Sequence, residues 1–207
     1  LFYLFLGMSD AVFRRPAPRR LRWMLLSLCV MVSYHGLAML RSLPDRGLAF
    51  YHVSRVPAVH CLSGGRASWL VGADTLPDVE RMSRSLAPHW RRLRLDSPRP
   101  VADGYADAAL SVRDGLLHYG GCRVCILHDG RWAGKRSDIL LPVDYLYVCR
   151  GYRGTLGDLD RLFDVRYVVF DASFTGYYRR RMEEECLRRG IPVHALDREG
   201  ALWVPLP

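Results

Sequence analysis

Apolar and polar positions follow three patterns along the chain. Residues 23–40, WMLLSLCVMVSYHGLAML, contain no formally charged residue, and a helix of that length reaches across a hydrocarbon core of roughly 30 Å. The pattern predicts a transmembrane helix over 23–42, diluted by Ser27, Ser33, His35 and Gly36. LFYLFL, residues 1–6, reads as the end of a preceding span.

From about Leu43 the apolar runs shorten. LAFYHVSRVPAVHCL, the glycine turn at 63–65 and ASWLVG predict a hairpin. In 75–93 the residues Leu76, Val79, Met82, Leu86 and Trp90 recur at steps of three or four behind Thr75, predicting an amphipathic helix capped by that threonine. DSPRPVADGY, residues 96–105, has the composition of a linker. ALSVRDGLLHYGGCRVCILHDG predicts strands joined by Asp-Gly and Gly-Gly turns.

The third pattern alternates strand and helix. ILLPVDYLYVC and VRYVVFDAS are near-continuous apolar strands, TLGDLDRLF a short helix capped by Thr155, and TGYYRRRMEEECLRRG a helix ending at Gly190. IPVHAL, the turn Asp197–Gly200 and ALWVPL predict a closing hairpin. The succession predicts a mixed α/β layered domain over 43–207.

Charge sharpens the first pattern. Five arginines (Arg14, Arg15, Arg19, Arg20 and Arg22) precede the apolar span, and only Arg41 and Arg46 follow it, offset by Asp45. That asymmetry predicts that 7–22 is a cytoplasmic loop and that the domain beyond 43 lies outside the cytoplasm. Of the formal net charge of +9, more than half belongs to the segment before Gly47. The remainder is mildly basic, which permits a nucleic-acid partner without requiring one.

The candidate chemistry is sparse. Cys122 and Cys125 have redox spacing, but they sit in a strand where positions three apart face opposite sides, and both read as core cysteines. The seven histidines show no spacing that would set two imidazoles on one metal. Phosphate-cradling and nucleophile-elbow motifs are absent from the sequence. Arg179–Arg181 followed by Glu183–Glu185 reads as a solvated, salt-bridged helix face. Arg81, Arg84, Arg91, Arg92, Arg94 and Arg99 surround Trp90, a composition usable for holding a single strand and equally that of an ordinary exposed helix.

The order AFYHVSRVPAVHCLSGGRASWLVGAD, CRVCILHDGRWAG, PVDYLYVCRGYRGTLGDLDRLFDVRYVVFDAS and GIPVHALDREGALWV resembles the C-terminal part of the ComEC competence proteins, inner-membrane channels for DNA uptake. The resemblance implies a shortened metallo-β-lactamase-like αββα sandwich behind the transmembrane helix. It also implies that metal ligands of the family are missing. Nothing between Asp74 and Arg113 matches the family's His-x-His-x-Asp-His cluster, and Leu146–Gly154 matches its Leu-Lys-x-x-His-His-Gly-Ser stretch without the imidazoles. Arginine cannot take their place as a ligand.

Asp129 is the one residual metal-site position, and no catalytic residue, metal or cofactor is expected. The implied partners are single-stranded DNA, the membrane, other competence proteins and the channel upstream of Leu1. Candidate strand contacts are Arg91, Arg92, Arg94, Arg131, Lys135, Arg136, Arg150 and Arg153. A metal-dependent nuclease and a purely structural interaction domain are the alternatives.

Overall fold

The computed structural model describes residues 18–41, 46–53, 56–64, 67–93 and 95–206, in two compact units, Leu1–Pro44 and Asp45–Pro207. In the first unit α1 (Pro18–Arg41) is a 24-residue helix. Among the described residues, however, no helix is long and apolar enough to cross a membrane. The transmembrane helix expected over 23–42 is thus not found among the described residues, and the sidedness drawn from its flanking arginines stays an expectation. Arg19, Arg20 and Arg22 belong to the helix instead of a loop before it, and the polar positions from Ser27 to Gly36 interrupt the apolar surface. Residues 1–17, including the LFYLFL segment, lie outside the described residues.

The second unit contains two sheets. The first has strand order β11–β1–β2–β3–β4, built from β1 (Arg46–Phe50), β2 (Ala58–Leu62), β3 (Ser68–Gly72), β4 (Arg99–Val101) and β11 (Leu202–Leu206). Its pairings are antiparallel except β3–β4. The second has order β10–β9–β8–β7–β6–β5, from β5 (Leu110–Arg113), β6 (Leu116–Tyr119), β7 (Cys122–Leu127), β8 (Leu141–Val148), β9 (Phe163–Phe170) and β10 (Val193–Ala195). Strands β7 to β10 are parallel, with β6 and β5 added antiparallel. The β5–β6 turn takes positive φ at both Asp114 and Gly115, as a two-residue hairpin requires.

Three buried clusters order the layers. Leu48, Phe50 and Val59 of the first sheet meet Val112, Val124, Tyr147 and Val169 of the second. The outer face of the first sheet packs Ala49, Tyr51 and Leu70 against Met82 and Trp90 of α2 (Val79–Arg92). The outer face of the second packs Leu146, Val168 and Phe170 against Leu156 of α3 (Leu156–Leu159) and Met182 of α4 (Tyr177–Arg189). The architecture is mixed α/β, layered helix, sheet, sheet, helix. Cys122 faces the cluster between the sheets and Cys125 the helix-side cluster, the opposite faces their spacing predicts.

Four local expectations change. Helix α2 is capped by Asp78, whose carboxylate accepts from the Arg81 amide at 2.9 Å. Thr75 instead bonds Asp74, with Pro77 between it and the helix. The 96–105 linker contributes β4, which adds to β3 in parallel. The closing pair is not a hairpin, because β10 joins β9 in one sheet and β11 joins β1 in the other, with α5 (Leu196–Glu199) between them.

The charged face of α4 is only partly solvated. Arg179 is 4% exposed, held by Glu183 at 3.1 Å and Asp197 at 2.8 Å, so it ties α4 to α5. Glu185 is also buried and accepts from the Leu156 amide at 2.7 Å, seating α3 on α4.

Candidate functional site

Parallel strands present their carboxyl ends together, and in open α/β sheets that edge is where ligands bind. Here the chain leaves β7 at His128-Asp129, β8 at Cys149–Gly154, β9 at Asp171–Ser173 and β10 at Leu196.

Steric necessity shapes the loop after β8. Gly151 has φ +108°, and a Cβ there would lie 2.2 Å from the His128 carbonyl oxygen. A Cβ at Gly154 would lie 2.3 Å from the Tyr152 hydroxyl. Tyr152 is buried beneath the loop and donates to the Thr155 carbonyl at 3.1 Å, while the Arg150 amide donates to Ser173 Oγ at 3.2 Å. The loop is therefore fixed, with Arg150 and Arg153 exposed on either side of a buried tyrosine. Neither guanidinium has an acidic partner among the ion pairs of the described residues.

Below the loop lies a carboxylate that the motif reading missed. Asp171 is 1% exposed and accepts from the Tyr147 hydroxyl at 2.6 Å, the Ser173 amide at 2.8 Å and the Ser173 hydroxyl. Its bonds are the internal kind that make a buried carboxylate tolerable. The signal available in the sequence was Asp-x-Ser directly after an apolar strand, a local side-chain-to-backbone turn.

Asp129 sits in a different setting. Its carboxylate accepts from Arg131 Nε at 3.0 Å through both oxygens and from the Arg131 amide at 3.0 Å. The same guanidinium donates from Nη1 to Asp103 at 3.1 Å and from Nη2 to His128 Nε2 at 3.2 Å. A guanidinium only donates, so His128 Nε2 accepts and its proton resides on Nδ1, which is buried without a partner. Burial opposes the charge on Asp129, but the bonds from the Arg131 amide and guanidinium hold its carboxyl below the usual carboxylate range.

The metal implied by the family resemblance does not fit these residues. Each donor that would face an ion already faces a guanidinium. Among the described residues no group of three or more His, Cys, Asp or Glu could hold a metal.

The other candidate cations are dispersed. Arg131 is committed to two carboxylates and an imidazole. Lys135 lies over the Trp132 ring at 4.8 Å, and that ring meets Phe163, the first residue of β9. Ser137 bonds the Arg161 carbonyl. Lys135 and Arg136 therefore lie toward the amino-terminal end of β8 and β9, away from Arg150 at the carboxyl end. Arg91 and Arg92 are exposed at the end of α2, in the outer layer of the other sheet. Trp90 beside them is only 5% exposed, which removes it as a stacking platform. Arg94 lies outside the described residues. Two cavities, about 420 and 560 Å³, share Gly120 and Gly121 at the opposite edge from Arg150.

The fold and this edge define a two-sheet α/β module with a rigid, arginine-bearing loop above a charge-filled cluster. The model of the ComEC C-terminal domain matches residues 48–206, and the chain belongs to that family, the terminal part of the membrane proteins that take up DNA in competence. No curated protein and no solved structure matches the chain.

Proposed function

We propose that this domain is a non-catalytic part of the DNA-uptake channel, assisting passage of a single strand through phosphate contacts from Arg150 and Arg153. The observation that carries the reading is the pair of exposed guanidiniums, without acidic partners among the described residues, on a loop whose two glycines are sterically required. A fixed loop backbone need not be ordered when its cations meet a phosphate, and such contacts are independent of base sequence. Arg91, Arg92, Lys135 and Arg136 are further exposed cations that a strand crossing several faces could meet. Family membership supports partners among the competence proteins and the rest of the channel. The layer order supports descent from a metallo-β-lactamase-like ancestor, and the guanidinium at Asp129 supports loss of its metal chemistry.

The test is the salt dependence of binding to a fluorescent oligothymidylate, with wild type and Arg150→Ala/Arg153→Ala compared. Each lost phosphate contact reduces the slope of log K against log salt by about 0.7 for a single strand. The double variant is expected to lose about 1.4. An unchanged slope and affinity would leave a protein-interaction role in place of the strand contact.

A further inference from the structure

The charged cluster after β7 contains a cation of its own. His128 and Asp129 come from the end of β7, and Asp103 from the turn that follows β4. The Asp103 carboxylate is steadied on its other oxygen by the Gly115 amide at 3.4 Å. Asp129 is steadied by the Arg131 amide. The acceptor atoms thus converge from separate segments on one group, at 3.0–3.2 Å from three different nitrogens of the Arg131 guanidinium.

His128 Nε2 and an Asp129 oxygen are 3.4 Å apart, close to the separation of about 3.4 Å between two ligands that sit about 2.1 Å from a tetrahedral ion. An imidazole nitrogen with carboxylate oxygens suits zinc or manganese. Asp103, by contrast, is joined to the other two through the length of the guanidinium, consistent with the absence of a three-ligand group among the described residues.

We propose that Arg131 is the resident cation of this edge, taking by charge and by hydrogen bonding the place of a divalent metal ion. Guanidinium does not deprotonate in proteins, and its planar fork matches carboxylate geometry. The cluster it organises therefore needs no metal supply and is indifferent to chelators. It also spends its charge internally, so Arg131 is a positioning residue for the loop edge and not a phosphate contact. The inference is independent of strand binding, since neither Arg150 nor Arg153 takes part.

The experiment is a thermal melt of the full chain with and without manganese chloride, paired with equilibrium dialysis of manganese, on wild type, Arg131→Ala and Arg131→Lys. Wild type is expected to melt at the same temperature in EDTA and in millimolar manganese. Arg131→Ala should melt lower, regain much of the loss in manganese, and bind the ion at least tenfold more tightly than wild type. Arg131→Lys keeps the charge but not the fork, and should melt lower while remaining unresponsive to the ion. Equal manganese affinity in wild type and Arg131→Ala, or no response of a folded Arg131→Ala, overturns the proposal. If Arg131→Ala does not fold, wild type decides: stoichiometric manganese abolished by Asp129→Asn overturns it, and no uptake sustains it.

Discussion

His60 should make the domain acid-sensitive well above the range in which its carboxylates titrate. The imidazole is fully buried between the first sheet and α2. Nδ1 is 2.8 Å from the Tyr51 hydroxyl, Nε2 has no partner, and the Trp90 ring lies 5.9 Å away. Burial, with His89 nearby as a smaller cause, pushes its pKa down from 6.5 to about 3. An unfolded chain takes up the proton near 6.5, whereas the folded chain resists it. The associated stability is complete above that value and falls away as pH drops toward 3.

One pKa unit corresponds to about 1.4 kcal/mol, so the whole interval is worth roughly 5 kcal/mol. Between pH 6.5 and 5 the loss should be roughly 1 to 2 kcal/mol. Asp107, Asp129, Asp158 and Asp197 are all held below 3.8, so their own losses begin at lower pH and leave that window clear. His89 is shifted down as well, chiefly by burial and then by Arg92, and adds to the slope with the same sign. Urea unfolding at closely spaced pH values measures the effect. His60→Asn retains an acceptor for Tyr51 without a titrating ring, and should lose about one proton's worth of slope. A flat wild-type profile from pH 6.5 to 5, or equal slopes in the two proteins, would refute the argument.

Two further predictions concern the loop and the thiols. Gly151→Ala combines positive φ with a Cβ 2.2 Å from a carbonyl oxygen, whereas Gly121 has φ +79° and nothing within 4 Å of a Cβ. Thermal melts should show Gly121→Ala costing about 1 to 2 kcal/mol from backbone conformation and Gly151→Ala distinctly more; equal losses would contradict the close packing. Burial raises the thiols of Cys61 and Cys149 and pushes Cys122 and Cys125 to about 12 and Cys186 to about 11, while Cys29 is exposed. Ellman's reagent at pH 8 should therefore label one cysteine quickly in native protein and all six in denaturant.

Much of the fold was legible because its determinants are local. The alternation in CRVCIL placed its cysteines on opposite faces, the continuous apolar halves of β8 and β9 announced buried strands, and Thr155 and Gly190 marked helix ends. Trp90 was legible too, since it lies on the same helical stripe as Met82, and its burial decides between the two readings of its arginine neighbours in favour of an ordinary helix. What was not legible depends on which distant segments meet. Nothing near β10 and β11 states that they enter different sheets. Asp129-Gly-Arg131 hints at a local pair, but Asp103 is 28 residues away from Arg131 and only folding brings it there. Arg150 and Arg153 were identified from a loop that resembles a metal-binding stretch, and their exposure follows from Tyr152 turning inward between them.

The central claim is that a single strand meets this edge of the domain. Amide NMR of the ¹⁵N-labelled chain, titrated with oligothymidylate at low salt, tests it most directly. The largest shifts are expected at Arg150–Gly154 and at Ser173, whose hydroxyl accepts from the Arg150 amide, all reversed by added salt. Shifts confined to the end of α2 or to the opposite edge, or none at all, would contradict it.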